Sequence, residues 1–292
     1  MLILLSDAFD PSLPGRLEKF GEVTDDKRRA AEANVVLIRS KTKVTREYID
    51  AAPKLRLVIR GGVGLDNVDQ VHAKARGIEV HNTAAASSVA VAELAMAMML
   101  ALPNHLVQGH NSMVAGQWLK KELKRTELYH KTLGILGCGR IGRELARRAA
   151  AFDMTILGYD IVSIDDPLIA QVADPNDLLR RADYISIHLP LTDATAGMIH
   201  AGTLAQMKDG VRIVNTGRGK VVIEKDVVAA LESGKIAGYA TDVWYSDPPE
   251  NTPLLGAPNT LLLPHIGAST EENLLRIGDI IVELLEDYTQ RN

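Results

Sequence analysis

The sequence has a single cysteine, few aromatic residues and no marked excess of either charge. Cys138 alone cannot form an internal disulfide framework, which excludes the disulfide-stapled secreted folds and favours a reducing compartment. Aromatic residues make up 4% of the chain, so aliphatic side chains must fill the core. The net charge of −4, with lysine and arginine scattered along the chain, provides no basic stripe for nucleic acid or for an anionic membrane.

The chain also lacks a long apolar run at its start. Residues 1–5 are apolar, but Ser6 and Asp7 end that run far short of a signal sequence or a membrane span. We therefore expect a cytoplasmic protein that has neither a nucleic acid nor a membrane as partner, and no metal site is predicted. Hydrophobic residues make up 46% of the 292 residues, which is enough for two domains of ordinary size.

What the sequence does contain is a glycine pattern between a short apolar run and an amphipathic helix. Gly137, Gly139 and Gly142 follow the apolar segment 133–136 with the spacing G-x-G-x-x-G. In a dinucleotide-binding unit the first glycine permits a tight turn and the second permits close approach of a pyrophosphate. The third lets the helix pack on the strand. The helix N-terminus that follows offers free N–H groups to an anion.

An acidic residue supports this interpretation. Asp160 ends a second apolar segment, 154–159, about twenty residues beyond the glycines, where a carboxylate can bind the adenine-ribose hydroxyls. Ile161 and Val162 follow it instead of an arginine, so the predicted cofactor is NAD rather than NADP. An ordinary strand–turn–helix unit is the alternative. Cys138, inside the turn, is interpreted as a small packed residue rather than a nucleophile.

Short apolar strands alternate with helices on both sides of the glycine pattern, which indicates an α/β protein with parallel sheets. About 100 residues precede the pattern, so two domains are favoured. The predicted strands include 2–5, 35–38, 55–59, 78–80, 154–159, 184–188, 211–214, 239–241 and 260–263. The predicted helices include 13–20, 45–52, 67–76 and 225–233, and a last helix that ends at about residue 287. A long apolar helix is also predicted over 88–116, with a break near Pro103.

Two arginines follow predicted strands in the first part of the chain. Arg39 follows the strand 35–38, and Arg60 follows 55–59 and precedes Gly61, Gly62 and Val63. Ligands of open α/β sheets bind at the carboxyl ends of the strands. A forked cation beside exposed backbone N–H groups suits a carboxylate or a phosphate. The alternative is a glycine turn with a solvated arginine.

Four further polar residues follow strands in the second part of the chain: Arg218, Asp242, Asp247 and His265. An arginine can bind a carboxylate at two points, and a histidine can exchange a proton near neutral pH. Together with a carboxylate beside the histidine, and with the predicted NAD as the hydride acceptor, these groups can interconvert a 2-hydroxy acid and a 2-oxo acid. Taken singly, each could be structural. His188 is placed near the cofactor only because its strand ends there.

These motifs, in this order, resemble the family of D-isomer-specific 2-hydroxyacid dehydrogenases over nearly the whole chain. The matching segments are 37–45, 60–69, 133–142, 215–219, 241–243 and 264–270. The resemblance implies two Rossmann-like or flavodoxin-like domains with parallel sheets and a cleft between them. The substrate-binding domain would comprise 1–98 and 270–292, and the NAD-binding Rossmann domain 99–269.

The resemblance also implies roles for the residues. Arg218 would bind the substrate carboxylate and His265 would be the general acid and base. The histidine's partner, a glutamate in the family, falls at Asp247, which is one methylene shorter, so the loop must move or a water must bridge. The cofactor would contact Gly137, Gly139, Arg140, Ile141, Gly142, Asp160, Thr216, Asp242 and Gly267, to which His188 is added from its strand-end position alone. The substrate would contact Arg39, Arg60, Gly61, Gly62 and Val63.

Within the family, the resemblance is greatest to members that oxidise D-3-phosphoglycerate to 3-phosphohydroxypyruvate with NAD, at the entry to serine biosynthesis. The expected substrate is thus a small 2-hydroxy or 2-oxo acid, and Arg39 and Arg60 favour one that carries a phosphate. The expected assembly is a homodimer. A glyoxylate or hydroxypyruvate reductase, or another D-2-hydroxyacid dehydrogenase, is the nearest alternative, and an NAD-sensing binding protein a remote one. Since the sequence ends at Asn292, we expect a short form without a regulatory domain.

Overall fold

The structure, a computed structural model, describes residues 1–291. The chain divides into two compact units. The first unit comprises residues 1–90 and the segment that begins at Ala268, and the second unit comprises Val91–Gly267.

The first unit is a five-stranded parallel sheet with helices on both faces. Its strand order is β2-β1-β3-β4-β5. The strands are β1 Leu2–Leu5, β2 Glu22–Thr24, β3 Val35–Ile38, β4 Leu57–Arg60 and β5 Glu79–Asn82. The helices are α1 Leu13–Leu17, α2 Arg46–Ala51 and α3 Gln70–Ala75, with the first residues of α4 Ser88–Ala101, and short 3₁₀ turns at Glu18–Phe20 and Lys27–Glu32.

Both faces of this sheet are covered, because successive strand residues enter different cores. Val35 and Leu37 belong to one buried cluster and Val36 and Ile38 to the other. This explains why the central strands are apolar throughout instead of alternating. The last helix packs on the first of these clusters through Ile277, Ile281 and Leu285.

The second unit is a seven-stranded parallel sheet of order β12-β11-β10-β9-β6-β7-β8. The strands are β6 Thr132–Leu136, β7 Thr155–Tyr159, β8 Ala170–Gln171, β9 Tyr184–Ile187, β10 Val211–Asn215, β11 Ile236–Thr241 and β12 Thr260–Leu262. The helices are the rest of α4, then α5 Leu106–Val114, α6 Arg140–Ala150, α7 Pro175–Arg181, α8 Ala201–Gln206 and α9 Glu224–Glu232. The helix α10 Glu271–Arg291 returns to the first unit.

This strand order places the glycine pattern at the centre of the sheet. Strand β6 pairs with β7 on one side and with β9 on the other, so the direction of winding reverses at β6. Ligands of doubly wound sheets bind at the carboxyl ends of the strands next to such a reversal. The predicted fold class, α/β with two parallel-sheet domains, is confirmed.

The long apolar segment over 88–116 forms two helices, α4 and α5, as the break near Pro103 predicts. Among residues 1–291, no single helix is long and apolar enough to cross a membrane. The helices α4 and α5 taken together have that length and composition, but they are bent by 62° relative to each other.

Candidate active site

The three glycines of the pattern differ in what surrounds them. Gly137 has φ +92°, and a Cβ on it would lie 3.0 Å from the carbonyl oxygen of His188. A Cβ on Gly142 would lie 2.4 Å from the carbonyl oxygen of Gly137. A Cβ on Gly139 would meet no atom within 4 Å. The protein's own packing therefore requires the first and third glycines, whereas the space beside the second is open to a ligand.

The carboxylate after β7 contacts the glycine turn directly. Oδ2 of Asp160 accepts a hydrogen bond of 2.8 Å from the backbone N–H of Cys138. Because a carboxylate can accept several hydrogen bonds, ribose hydroxyls can still bind to it. Cys138 is buried, and burial raises the pKa of its thiol to about 12, which favours the protonated, unreactive form. Arg140 and Ile141 occupy the first turn of α6, with Arg140 exposed.

His188 links the ends of β9 and β10. Its Nε2 lies 2.9 Å from the hydroxyl of Ser186, and its Nδ1 lies 2.9 Å from the hydroxyl of Thr216. Burial lowers the pKa of His188 to about 4, so the ring is neutral at physiological pH. The sequence placed His188 and Thr216 near the cofactor without indicating that they contact each other.

The loop that carries Arg218 is fixed by a buried asparagine at the end of β10. The side-chain oxygen of Asn215 accepts a bond of 3.0 Å from the backbone N–H of Gly217, and its amide donates to the carbonyl oxygen of Arg218 at 3.1 Å. Arg218 itself is half-buried and donates to the carbonyl oxygen of Gly217 at 2.8 Å. Asn215 was not predicted as a site residue, although its place at a strand end beside Arg218 was a usable signal.

His265 and Asp247 form a direct pair. Nδ1 of His265 is hydrogen-bonded to Oδ2 of Asp247, so the loop position compensates for the shorter side chain and no bridging water is needed. The two side chains are 41% and 44% exposed, which leaves them accessible to a small molecule. His265 has φ +56°, a left-handed conformation that costs a non-glycine residue free energy and that often occurs at functional sites.

Asp242 holds the backbone that follows His265. Its two carboxylate oxygens accept hydrogen bonds from the N–H groups of Ile266 at 2.8 Å and Gly267 at 2.7 Å. Burial raises the pKa of Asp242, and the two N–H groups oppose this rise. A Cβ on Gly267 would lie 2.9 Å from this carboxylate, so the glycine permits the close approach. In the second unit, the structure thus connects Asp242, Gly267 and His265.

In the first unit, the predicted substrate residues lie at the carboxyl ends of neighbouring strands. Ile38 of β3 is in register with Arg60 of β4, and a Cβ on Gly61 would lie 3.5 Å from Cγ of Arg39. The Arg60 guanidinium folds back over Gly62, where an ideal Cβ would be 2.9 Å from its Nη1. Arg39 and Arg60 are both half-buried, and Val63 is exposed.

Two residues that the sequence analysis did not single out shape this edge. Asp7, at the end of β1, accepts hydrogen bonds from the backbone N–H groups of Arg39 at 2.6 Å and Thr42 at 3.1 Å. The side-chain amide of Asn67 donates to the carbonyl oxygens of the same two residues at 2.8 Å and 2.7 Å. The loop after β3 is therefore held from both sides. Within residues 1–291, no group of three or more His, Cys, Asp or Glu side chains is arranged to hold a metal ion.

A family model described as D-isomer specific 2-hydroxyacid dehydrogenase, NAD binding domain, matches residues 96–267. This span contains β6 to β12 and the candidate residues of the second unit. The chain belongs to the D-isomer-specific 2-hydroxyacid dehydrogenase family. The predicted cofactor, NAD, agrees with this domain, and the open space beside Gly139 and the carboxylate of Asp160 fit a dinucleotide.

Curated relatives and a solved structure give the same family. The chain is 44% identical to a hydroxypyruvate reductase of Thermotoga maritima over 86% of this chain and 83% of the relative. It is 41% identical to a D-3-phosphoglycerate dehydrogenase of Methanocaldococcus jannaschii over 97% of this chain but 56% of the relative. The chain thus spans about half the length of the phosphoglycerate dehydrogenases that it matches.

Among solved structures, a D-lactate dehydrogenase of Aquifex aeolicus complexed with NAD and lactic acid superposes with a TM-score of 0.87 at 28% identity. The match covers 99% of this chain and 96% of that one. These relatives differ in substrate. The comparisons therefore establish the 2-hydroxyacid dehydrogenase family and leave the particular acid open.

Proposed function

We propose that this protein oxidises D-3-phosphoglycerate to 3-phosphohydroxypyruvate with NAD. The observation that supports the chemistry is the direct His265–Asp247 pair in the unit that carries Arg218. The observation that favours a phosphorylated acid is the pair of arginines, Arg39 and Arg60, at adjacent strand ends of the first unit.

In this proposal, His265 moves the proton. The bond from Nδ1 to Asp247 fixes the tautomer, so that Nε2 can accept the proton of the substrate's C2 hydroxyl. Arg218 binds the substrate carboxylate with two parallel bonds and orients C2. NAD, when bound, supplies the acceptor for the hydride. The reverse reaction uses the same groups, with His265 donating the proton.

The cofactor would be held by the carboxyl edge of the second unit. Gly137, Gly139 and Gly142, with the first turn of α6 at Arg140 and Ile141, would receive the pyrophosphate. Asp160 would accept hydrogen bonds from the adenine-ribose hydroxyls, which favours NAD over NADP because a 2′-phosphate would be repelled. The residues at the nicotinamide side would be His188, Thr216, Asp242 and Gly267.

The substrate's phosphate would be bound by the first unit. Arg60 is proposed to contact the phosphate and Arg39 to add a second positive charge, while the backbone N–H groups of Gly61, Gly62 and Val63 bind the acid. A hydrogen bond to a charged group contributes about 1.5–3 kcal/mol, which corresponds to roughly a 10- to 150-fold effect on binding. Arg60 should therefore dominate the preference for a phosphorylated substrate.

The experiment is NAD reduction with D-3-phosphoglycerate, D-glycerate and D-lactate, in the wild type and in Arg60→Ala. We expect a preference for D-3-phosphoglycerate, and kcat/KM for it should fall about 100-fold in the variant while the other two acids change little. Arg56→Ala is the matched control, because Arg56 is exposed and precedes the opposite end of β4. Similar rates on all three acids, unaffected by Arg60→Ala, would contradict the proposed substrate.

Hydroxypyruvate reduction is the second candidate. The 44% identity to the Thermotoga maritima hydroxypyruvate reductase, over most of both chains, favours it. It would use the same His265, Asp247 and Arg218 in the reductive direction. The two candidates differ in one substituent, the phosphate, and hence in whether Arg60 matters.

We also propose that the protein is a homodimer assembled through α5 and the segment after it. This region exposes large apolar side chains in the single chain, which is typical of a protein–protein interface. They are Leu106 (57% exposed), Val107 (53%), Met113 (56%), Val114 (76%) and Trp118 (73%).

A further inference from the structure

Three side chains form a hydrogen-bonded chain across two strand ends of the second unit. Ser186 is completely buried, and its hydroxyl lies 2.9 Å from Nε2 of His188. The opposite ring nitrogen, Nδ1, lies 2.9 Å from the hydroxyl of Thr216, which is 9% exposed. This series of hydrogen bonds thus begins at Ser186 in the core of the sheet and ends at Thr216, at the edge where the cofactor is proposed to bind.

The backbone holds His188 firmly in this position. A Cβ on Gly137, in the glycine turn, would lie 3.0 Å from its carbonyl oxygen. A Cβ on Gly217, next to Thr216, would lie 2.8 Å from the carbonyl oxygen of Leu189 and 3.3 Å from the carbonyl carbon of His188. His188 is therefore packed between the turn that follows β6 and the loop that follows β10.

The hydrogen-bond network assigns the tautomer of the ring. The Ser186 hydroxyl is fully buried, and among residues 1–291 its only hydrogen-bond partner is Nε2 of His188. If Nε2 carried the proton, the Ser186 O–H would be a buried donor without an acceptor, which costs about 1–3 kcal/mol. The Ser186 hydroxyl thus donates to Nε2, and the neutral ring carries its proton on Nδ1. Nδ1–H then donates to the Thr216 oxygen, which leaves the Thr216 hydroxyl proton free to donate elsewhere.

The sheet topology indicates which part of the cofactor can accept a hydrogen bond from the Thr216 hydroxyl. In a doubly wound sheet, the half that follows the glycine turn and its acidic strand binds the adenosine part, and the other half binds the second nucleotide. Thr216 follows β10, in the half formed by β9 to β11. Its hydroxyl therefore lies at the nicotinamide side of the proposed cofactor site.

We propose that His188 is a positioning residue, which as the Nδ1–H tautomer orients Thr216 so that the threonine hydroxyl donates to the carboxamide oxygen of the nicotinamide of NAD. This inference rests on the proposed NAD-dependent function. It assigns Ser186 as the residue that selects the tautomer, although Ser186 is too deeply buried to touch the cofactor.

The test compares the binding of NAD with that of ADP-ribose, which lacks the nicotinamide, by isothermal titration calorimetry. Thr216→Val and His188→Leu should each bind NAD about tenfold more weakly, as expected for one hydrogen bond, and bind ADP-ribose as the wild type does. Thr216→Ser and His188→Asn, which keep a hydroxyl and a donor near Nδ1, should retain NAD affinity within about threefold. Thr155→Val is the matched control, because Thr155 is exposed at the opposite end of β7.

If His188 and Thr216 had only a structural role, the substitutions would weaken the binding of NAD and of ADP-ribose equally. That outcome would overturn the proposal, and so would unchanged NAD binding in Thr216→Val. The ¹⁵N NMR spectrum of the His188 imidazole gives an independent readout. We expect the Nδ1–H tautomer to be the major form in the wild type and to be no longer the major form in Ser186→Ala. An Nε2–H ring in the wild type would also overturn the proposal. A wild type that binds neither ligand would instead contradict the proposed function.

Discussion

At the residue scale, two acidic side chains of the second unit, Asp242 and Asp247, bind the segment around His265 although they lie 18 to 25 residues before it in the sequence. The family resemblance implied that Asp242 contacts the cofactor. The structure shows that its oxygens hold the N–H groups of Ile266 and Gly267, so its carboxylate fixes the backbone next to His265. The sequence could not indicate this, because the pairing depends on the neighbouring ends of β11 and β12. By contrast, residue type and strand-end position were enough to single out His265 and Asp247.

The buried His188 should make stability depend on pH. Its pKa is about 4 in the folded protein and about 6.5 when unfolded, so the unfolded chain binds more protons between these values. Stability is therefore complete above pH 6.5 and is lost as the pH falls towards 4. Between pH 6.5 and 5, the free energy of unfolding should fall by about 2 kcal/mol more in the wild type than in His188→Asn.

This difference can be measured by urea unfolding followed by tryptophan fluorescence. Both tryptophans, Trp118 and Trp244, lie in the second unit and so report on the unit that contains His188. Carboxylates whose pKa is lowered, such as Asp183 and Glu144, titrate below this window and do not obscure it. Equal pH slopes in the two proteins would contradict a desolvated, neutral His188.

At the scale of elements, most of the strands that are buried on both faces were predicted within a residue or two, although β11 begins at Ile236, three residues before its predicted start. The segments 2–5 and 35–38 correspond exactly in extent to β1 and β3, because continuous apolar runs bounded by polar residues are typical of central parallel strands. The elements that were missed are β2, β8 and α8. The two strands are short and lie at sheet edges, and α8 has six residues, so neither periodicity nor burial marks them in the sequence.

The strand–turn–helix element at β6 and α6 yields a prediction that separates folding from binding. Gly142→Ala places a Cβ 2.4 Å from a backbone oxygen, so the helix must shift. We expect the free energy of unfolding to fall by about 1–3 kcal/mol and the thermal midpoint to fall by several degrees. Gly139→Ala meets no atom within 4 Å and should keep the wild-type midpoint. Its methyl group would occupy the space proposed for the pyrophosphate, so NAD affinity should fall about tenfold or more.

Differential scanning calorimetry and NAD titration of the two variants check this pair of expectations. A destabilised Gly139→Ala protein, or one with wild-type NAD affinity, would contradict the assignment of the open space to the cofactor. The G-x-G-x-x-G spacing predicted all three glycines, but only the folded structure distinguishes the two that the packing requires from the one beside open space.

At the scale of the whole molecule, the proposed dimer depends on the apolar surface of α5 and the segment after it. Val114→Lys combined with Trp118→Lys should shift the protein from dimer to monomer, because burying an unpaired charge in an interface costs several kcal/mol. Light scattering coupled to size exclusion measures the mass. Val71→Lys is the control, since Val71 is 84% exposed on α3 of the first unit and lies outside the proposed interface. A wild-type monomer, or a dimer unaffected by the double substitution, would contradict this interface.

The central claim is that the protein acts on a phosphorylated acid, and the most direct test uses two substrates that differ only in the phosphate. NADH oxidation should be measured with 3-phosphohydroxypyruvate and with hydroxypyruvate under identical conditions, with His265→Asn as the chemically inactive control. We predict a kcat/KM about 100-fold higher for the phosphorylated substrate, as expected for charge-assisted bonds from arginine to phosphate. Equal values, or a preference for hydroxypyruvate, would contradict the account and identify a hydroxypyruvate reductase.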